Sequence, residues 1–193
     1  LNIDSNNNLH AMWMDKINNT QWDILYATCP ATSNCTDTSN WSILNVTNRD
    51  SGDDDTVFVI DSNNVIHVTY DNNEGEVEYV NCSSSCTNRS KWSSPFNVSN
   101  SRPIKPVHST IAIDSANNIY VFWHLEETAI SGPDAGHIQY RKYTAQTSQW
   151  SNVQNITSDA INRYVTARQS TIYGNHESLD YIWTNGTSSS FYI

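Results

Sequence analysis

One hairpin recurs along this chain, and its recurrence restricts the fold more than any other feature. TVFVIDSNNVIHVTY (56–70) is an apolar run, an Asp-Ser-Asn-Asn turn and a second apolar run that ends in an aromatic. LNIDSNNNLHAMW (1–13) and STIAIDSANNIYVFW (109–123) repeat it, and STIYGNHESLDYIW (170–183) is a degraded copy. Repetition at intervals of about 50–60 residues marks an array of one supersecondary unit.

Each full copy reads as four short strands divided by Asn/Asp/Ser turns. The second copy gives strands near 56–61, 65–70, 77–81 and 92–98; the first gives 1–4, 8–14, 23–28 and 41–46. The third gives 109–114, 118–124, 136–143 and 149–156, and the fourth gives 169–173, 179–184 and 189–193. No long stretch has helical periodicity, although the segment 124–137 has room for one helical turn. Aromatics keep register: Trp13, Tyr70, Trp123 and Trp183 end the second strands, and Tyr26, Tyr79, Tyr140 and Tyr192 mark the third. Trp41-Ser42, Trp92-Ser93 and Trp150-Ser151 open the fourth. Four-stranded units of this length predict an all-β chain built as a β-propeller, with blades at 1–49, 50–101, 102–160 and 161–193.

In these strands and aromatics the chain resembles the sialidase-like repeat propellers. The resemblance covers essentially the whole chain but not the Asp-box, because CTDTSN, CTNRSK and TAQTSQ precede the three tryptophans. It implies the fold and does not imply sialidase activity. The last blade lacks an outer strand, so the expectation is a longer propeller or a strand supplied by a neighbouring chain.

Composition narrows the function. Asp and Glu total 20 against 10 Lys and Arg, a formal charge of −10, which argues against nucleic acid as a partner. No apolar run is long enough to span a membrane as a helix.

Four cysteines allow three pairings. The repeat register favours Cys29–Cys35 in CPATSNC and Cys82–Cys86 in CSSSC, each first cysteine three residues after its Tyr. Disulfides imply an oxidising, extracellular or cell-surface location. Sequons stand at Asn18, Asn34, Asn40, Asn45, Asn81, Asn88, Asn97, Asn155 and Asn185, and Asn45, Asn97 and Asn155 share one repeat position at the end of an outer strand. A sugar there would block edge-to-edge association; a turn role for Asn is the rival reading.

Ligand chemistry is expected in the blade-joining loops 48–55, 100–108 and 158–168. Arg49, Arg102 and Arg163 fall at matching offsets and could grip a carboxylate, or tie each loop to its neighbour. A sialidase-like site would also need groups such as Tyr164, Glu126 and Glu127. Asp50, Asp53, Asp54 and Asp55 form a candidate calcium loop without the spacing of a dedicated one; no other cofactor is expected. His10 and His67 occupy a position held elsewhere by Tyr120 and Asp180, which reads as packing with a polar tip. No catalytic constellation stands out. The leading expectation is therefore an extracellular, N-glycosylated structural, adhesive or glycan-binding module, able to self-assemble into a filament through its open terminal blade. The alternative is a carbohydrate-active enzyme, a sialidase-like hydrolase or a polysaccharide lyase.

Overall fold

The computed structural model describes residues 1–18, 21–48, 52–100, 105–125 and 137–157. Beyond these it describes the backbone of strands within 162–192. The protein is all-β and antiparallel. The first sheet has the order β1 (Asn2–Ile3), β2 (Leu9–Lys16), β3 (Trp22–Cys29), β4 (Ser42–Asn45). The second repeats it with β5 (Asp53–Ile60), β6 (Ile66–Asn72), β7 (Glu76–Cys82) and β8 (Phe96–Asn97). The third has β9 (Pro106–Ile113), β10 (Ile119–Leu125) and β11 (Ile138–Thr144), and its outer strand is split into β12 (Gln149–Trp150) and β13 (Gln154–Asn155).

The fourth unit departs from the sequence expectation. Its first strand is β14 (Asn162–Ala167), which pairs with β17 (Tyr181–Asn185), and β17 pairs with β18 (Phe191–Tyr192). The segment near 169–173, expected as that first strand, instead gives β15 (Thr171–Tyr173) in a separate hairpin with β16 (His176–Ser178). Tyr192 is also out of step. It pairs with Trp183, whereas Tyr79 pairs with Thr69 and Tyr140 with Phe122. The backbone register of Tyr192 is thus one residue away from that of Tyr79 and Tyr140. Residues 126–136, where a helical turn had room, lie outside the described residues; two short 3-10 turns occur instead at Thr38–Asn40 and Arg89–Lys91.

The repeated turn has one mechanism. Asp4, Asp61 and Asp114 each use Oδ1 to accept two backbone N–H groups, from Asn6 and Asn8, Asn63 and Val65, and Ala116 and Asn118. Asn7, Asn64 and Asn117 take the left-handed conformation, at φ 63°, 62° and 60°, which Asn tolerates better than most residues. These asparagines also bolt sheets together: Asn64 Oδ1 accepts the N–H of Ser5, and Asn117 Oδ1 that of Ser62.

The second aspartate oxygen faces the His/Tyr repeat position. His10 lies between Asp4 Oδ2 (3.3 Å) and the Tyr26 hydroxyl (2.8 Å), and His67 between Asp61 Oδ2 (3.5 Å) and the Tyr79 hydroxyl (2.6 Å). In the third sheet Tyr120 donates its own hydroxyl to Asp114. Burial drives the Tyr26 hydroxyl up to about 12 and raises that of Tyr79 further, so both stay protonated hydrogen-bonding groups.

The core lies between successive sheets. Ile24 and Tyr26 of the first sheet meet Phe58, Ile66, Val68 and Tyr70 of the second. Val77 and Tyr79 of the second meet Ile111, Ile113, Ile119, Val121 and Trp123 of the third. Tyr26 packs edge-on against Trp92, and Tyr79 against Trp150, at 5.6 and 5.1 Å between centroids. Cys29 pairs with Cys35 and Cys82 with Cys86; Tyr143, in tilted contact with Trp150, occupies the corresponding position of the third sheet.

Candidate functional site

Only one cluster of buried and half-exposed titratable groups falls in the joining segments where chemistry was expected, among the described residues. It is made by two β-bulges. The ladder between β5 and β6 shifts register between Asp54 and Val57, and that between β9 and β10 shifts at Phe122/His124. Each bulge holds a non-glycine residue in the left-handed region, Asp55 at φ 47° and His108 at φ 53°. Bulges re-aim side chains and concentrate near functional sites, and left-handed non-glycine residues persist where the surroundings enforce them. Between β14 and β17 the register shifts again, from Arg163 to Val165, so Tyr164 falls at the third bulge.

The two described bulge residues meet. His108 Nδ1 lies 2.5 Å from Asp55 Oδ2, with side chains 41% and 40% exposed. Asp71, on β6, lies beneath them. Its Oδ2 accepts the backbone N–H of His108 at 2.5 Å and its Oδ1 that of Ser109 at 3.3 Å. Burial raises the Asp71 carboxyl to about 7, and the nearby Asp55 charge adds to the rise, against the hydrogen bonds from Ser109 and His108. The His108 ring stacks on His124 at 5.1 Å between centroids. His124 and His137 are both buried, and the carbonyl of His137 accepts the N–H of Leu125.

Several sequence candidates fall elsewhere. Asp53 and Asp54 belong to β5 rather than to a loop; Asp53 is buried, and Asp55 is committed to His108. Among the described residues no group of three or more His, Cys, Asp or Glu is arranged to hold a metal ion. Arg49, Arg102, Asp50, Glu126 and Glu127 lie outside the described residues, and Arg163 is placed only as a backbone position of β14. Two other arginines tie sheets together: Arg89 donates to the Thr47 carbonyl and Arg141 to that of Val98. Asn45 and Asn97 close turns by accepting the N–H of Asn48 and Asn100, and Asn45 also donates to Asp23. Asn155 accepts from Gln139, Asn81 donates to Tyr79, Asn40 to the Asn34 carbonyl and Asn18 to Gln21. Asn34 and Asn88 are exposed, and each accepts the hydroxyl of its own sequon's Thr36 or Ser90. Asn185 is placed as backbone only.

The sequence reading missed Asp71, His108, His124 and His137. One signal was present: His108 precedes Asp114 by the same interval at which Asp55 precedes Asp61.

No protein-family model and no curated protein sequence matches the chain. Solved structures do. A polysaccharide lyase of family PL25, an ulvan lyase, superposes with a TM-score of 0.55 at 13% identity over 98% of this chain and 56% of that one. A PL25 ulvan lyase bound to -[GlcA(1-4)Rha3S]- gives 0.54 at 12% identity with the same coverage. The chain thus spans about half the length of the structures it matches, and at this identity the likeness concerns the fold. Both are polysaccharide lyases, and the likeness does not show sialidase-like repeats.

Proposed function

We propose that this chain is a carbohydrate-active β-propeller that works on uronate-containing polysaccharide by β-elimination, with His108 as the proton-abstracting group. The observation that carries the reading is the His108–Asp55 pair, two half-exposed groups fixed on left-handed bulges of strands in neighbouring sheets. The fold likeness to a lyase supports it. With Nδ1–H donated to Asp55, Nε2 is the ring nitrogen that would take the proton, in the orientation that a carboxylate partner fixes. In an elimination Nε2 takes the proton α to the uronate carboxylate, the C–H electron pair becomes the new C=C bond, and the glycosidic oxygen leaves and is protonated. Charge gathering on the carboxylate needs a cation, and Arg102 and Arg163, which flank His108 and Tyr164 in sequence, are the candidates.

Two disulfides suit a secreted protein, and no described helix is long and apolar enough to cross a membrane. For N-glycosylation, exposed Asn34 and Asn88 are better acceptors than Asn45, whose amide is engaged by Asp23.

The test is incubation with soluble uronic-acid polymers, following ultraviolet absorbance of the unsaturated product and, separately, reducing ends. Turnover with unsaturated product, lowered about 10²–10⁴-fold in His108→Ala, is expected. Reducing ends without unsaturation would assign a hydrolase. Binding without turnover would assign a glycan-binding module, and turnover unaffected by His108→Ala would exclude this site.

A further inference from the structure

The first two inter-sheet interfaces differ in what fills the space beside their outer strands. Between the second and third sheets that space is taken by Arg141. Its Nε donates to the Ser151 carbonyl at 2.6 Å and its Nη1 to the Val98 carbonyl at 3.2 Å, and it lies 5.2 Å from the Phe96 ring. The register equivalent of Arg141 in the second sheet is Val80, since Ile119 pairs with Tyr143 as Ile66 pairs with Cys82. Val80 is shorter and has no side-chain donor, so it cannot bridge the equivalent carbonyls, those of Ser93 and Val46. A second exchange widens the gap. Val153 packs against the core of the later interface, whereas Pro95, equally placed after its tryptophan, is exposed. The result is a cavity of about 260 Å³ between the first and second sheets, with Val80 in its wall and Arg89, Trp92, Ser94 and Pro95 around it.

The lining has the chemistry of a sugar site. Trp92 supplies an apolar wall, and its Nε1–H is tied to the Cys86 carbonyl, which fixes the ring. Arg89 is exposed and donates one Nη2 N–H to the Thr47 carbonyl. A guanidinium is a fork of several N–H donors, and among the described residues no carboxylate pairs with this one. In a chain with 20 Asp and Glu against 10 Lys and Arg, a cation without an acidic partner suits an anion from outside. We infer that this cavity is a second carbohydrate site, taking one ring of an acidic glycan. The carboxylate or sulfate lies against Arg89 and the ring against Trp92, with sugar hydroxyls on the Ser93 and Val46 carbonyls. The site is separate from the proposed catalytic pair, because His108 and Asp55 join the second and third sheets. The choice of a glycan rests on the function proposed above; the cavity and its cation do not.

Titration of the whole chain with glucuronate, glucose 6-sulfate and glucose, following the Trp92 indole N–H resonance, tests the site. These monosaccharides have no glycosidic bond to eliminate, so the readout is independent of turnover. Expected are shifts with both acidic sugars and affinities at least about tenfold above that of glucose, the tighter of the two identifying the anion. Arg89→Gln, at an exposed position, should weaken both acidic sugars about tenfold. Val80→Arg, which copies the Arg141 arrangement, should abolish binding of all three; circular dichroism checks its fold, and Arg89→Gln decides alone if it does not fold. His108→Ala should leave the shifts intact even where turnover is lost. No shift with any of the three sugars, or affinities unchanged in Arg89→Gln, overturns the inference. Shifts lost in His108→Ala also overturn it, by assigning the sugar to the other site.

Discussion

Asp71 and His108 are joined through the backbone: the Asp71 carboxylate accepts the His108 N–H at 2.5 Å, at a residue whose φ is 53°. The catalytic candidate is therefore placed by a buried carboxylate on the neighbouring sheet. Asp71→Ala should release the bulge and lower turnover on uronate polymers by about 10-fold or more through kcat rather than KM, since positioning acts on the reacting geometry. The His108 ring resonances followed by NMR provide a readout that does not depend on activity. Unchanged ring shifts in Asp71→Ala would show that Asp71 does not place the imidazole.

Asp55 has a different task and a different signature. It touches the imidazole itself, so Asp55→Asn should leave the fold intact while removing the carboxylate that orients the His108 ring. The expected outcome is kcat on uronate polymers lowered about 10-fold or more, with thermal stability changed by less than about 1 kcal/mol. A kcat equal to the parent's would remove Asp55 from the site.

Much of the scaffold was legible because its determinants are local. Asp61 and Asn64 announce their turn, since one carboxylate oxygen closes it and Asn accepts the left-handed conformation. The cysteine pairs follow from repeat register for the same reason. The bulges were not legible. Asp55 and His108 take positive φ without a glycine to mark it, and their meeting depends on how one sheet packs on the next. The fourth unit misled for a related reason. Thr171–Tyr173 has a strand composition, yet β14 pairs with β17, and pairing rather than propensity decides which run joins a sheet.

The disulfides should act as local staples. Each closes a short loop, with a sequence separation of 6 for Cys29–Cys35 and 4 for Cys82–Cys86. Chain entropy then gives about 2 kcal/mol apiece. Cys82→Ser/Cys86→Ser should lower the unfolding free energy by that amount, read as a lower denaturant midpoint at unchanged slope. Trp92, whose Nε1 donates to the Cys86 carbonyl, should report the change by fluorescence. The corresponding Tyr143–Trp150 contact is apolar packing, so Tyr143→Ala should be costly under reducing and oxidising conditions alike.

The Asp–His–Tyr relays predict a coupling measurable by double mutation. His67 bridges Asp61 and the Tyr79 hydroxyl in a buried setting, and the third sheet fills the same position with Tyr120, while Tyr140 turns its hydroxyl to Gln154. A tyrosine at 67 would thus compete with the Tyr79 hydroxyl. His67→Tyr alone should cost roughly 2–3 kcal/mol through crowding and an unpaired polar group. Combining it with Tyr79→Phe should return about 1 kcal/mol or more of that loss. Strict additivity in denaturant titrations would show that the two sites do not communicate.

The Asp71 carboxyl also fixes the sign of one pH effect on stability. An unfolded aspartate ionises near 3.9, while burial holds this one at about 7 in the native state. Between those values the native protein retains a proton that the unfolded chain has lost, so this group's contribution to stability is largest below about pH 4. It declines as pH rises toward 7 and is level above that. The full span is on the order of 4 kcal/mol, an upper bound because water and side-chain relaxation reduce the burial cost. The groups facing this carboxylate are Asp55 on β5 and His108 on β9. Asp71→Asn has no proton to lose, so its stability should fall less than the parent's between pH 4 and 7 in parallel urea titrations. Equal slopes for the two proteins would mean that Asp71 ionises normally in the folded state.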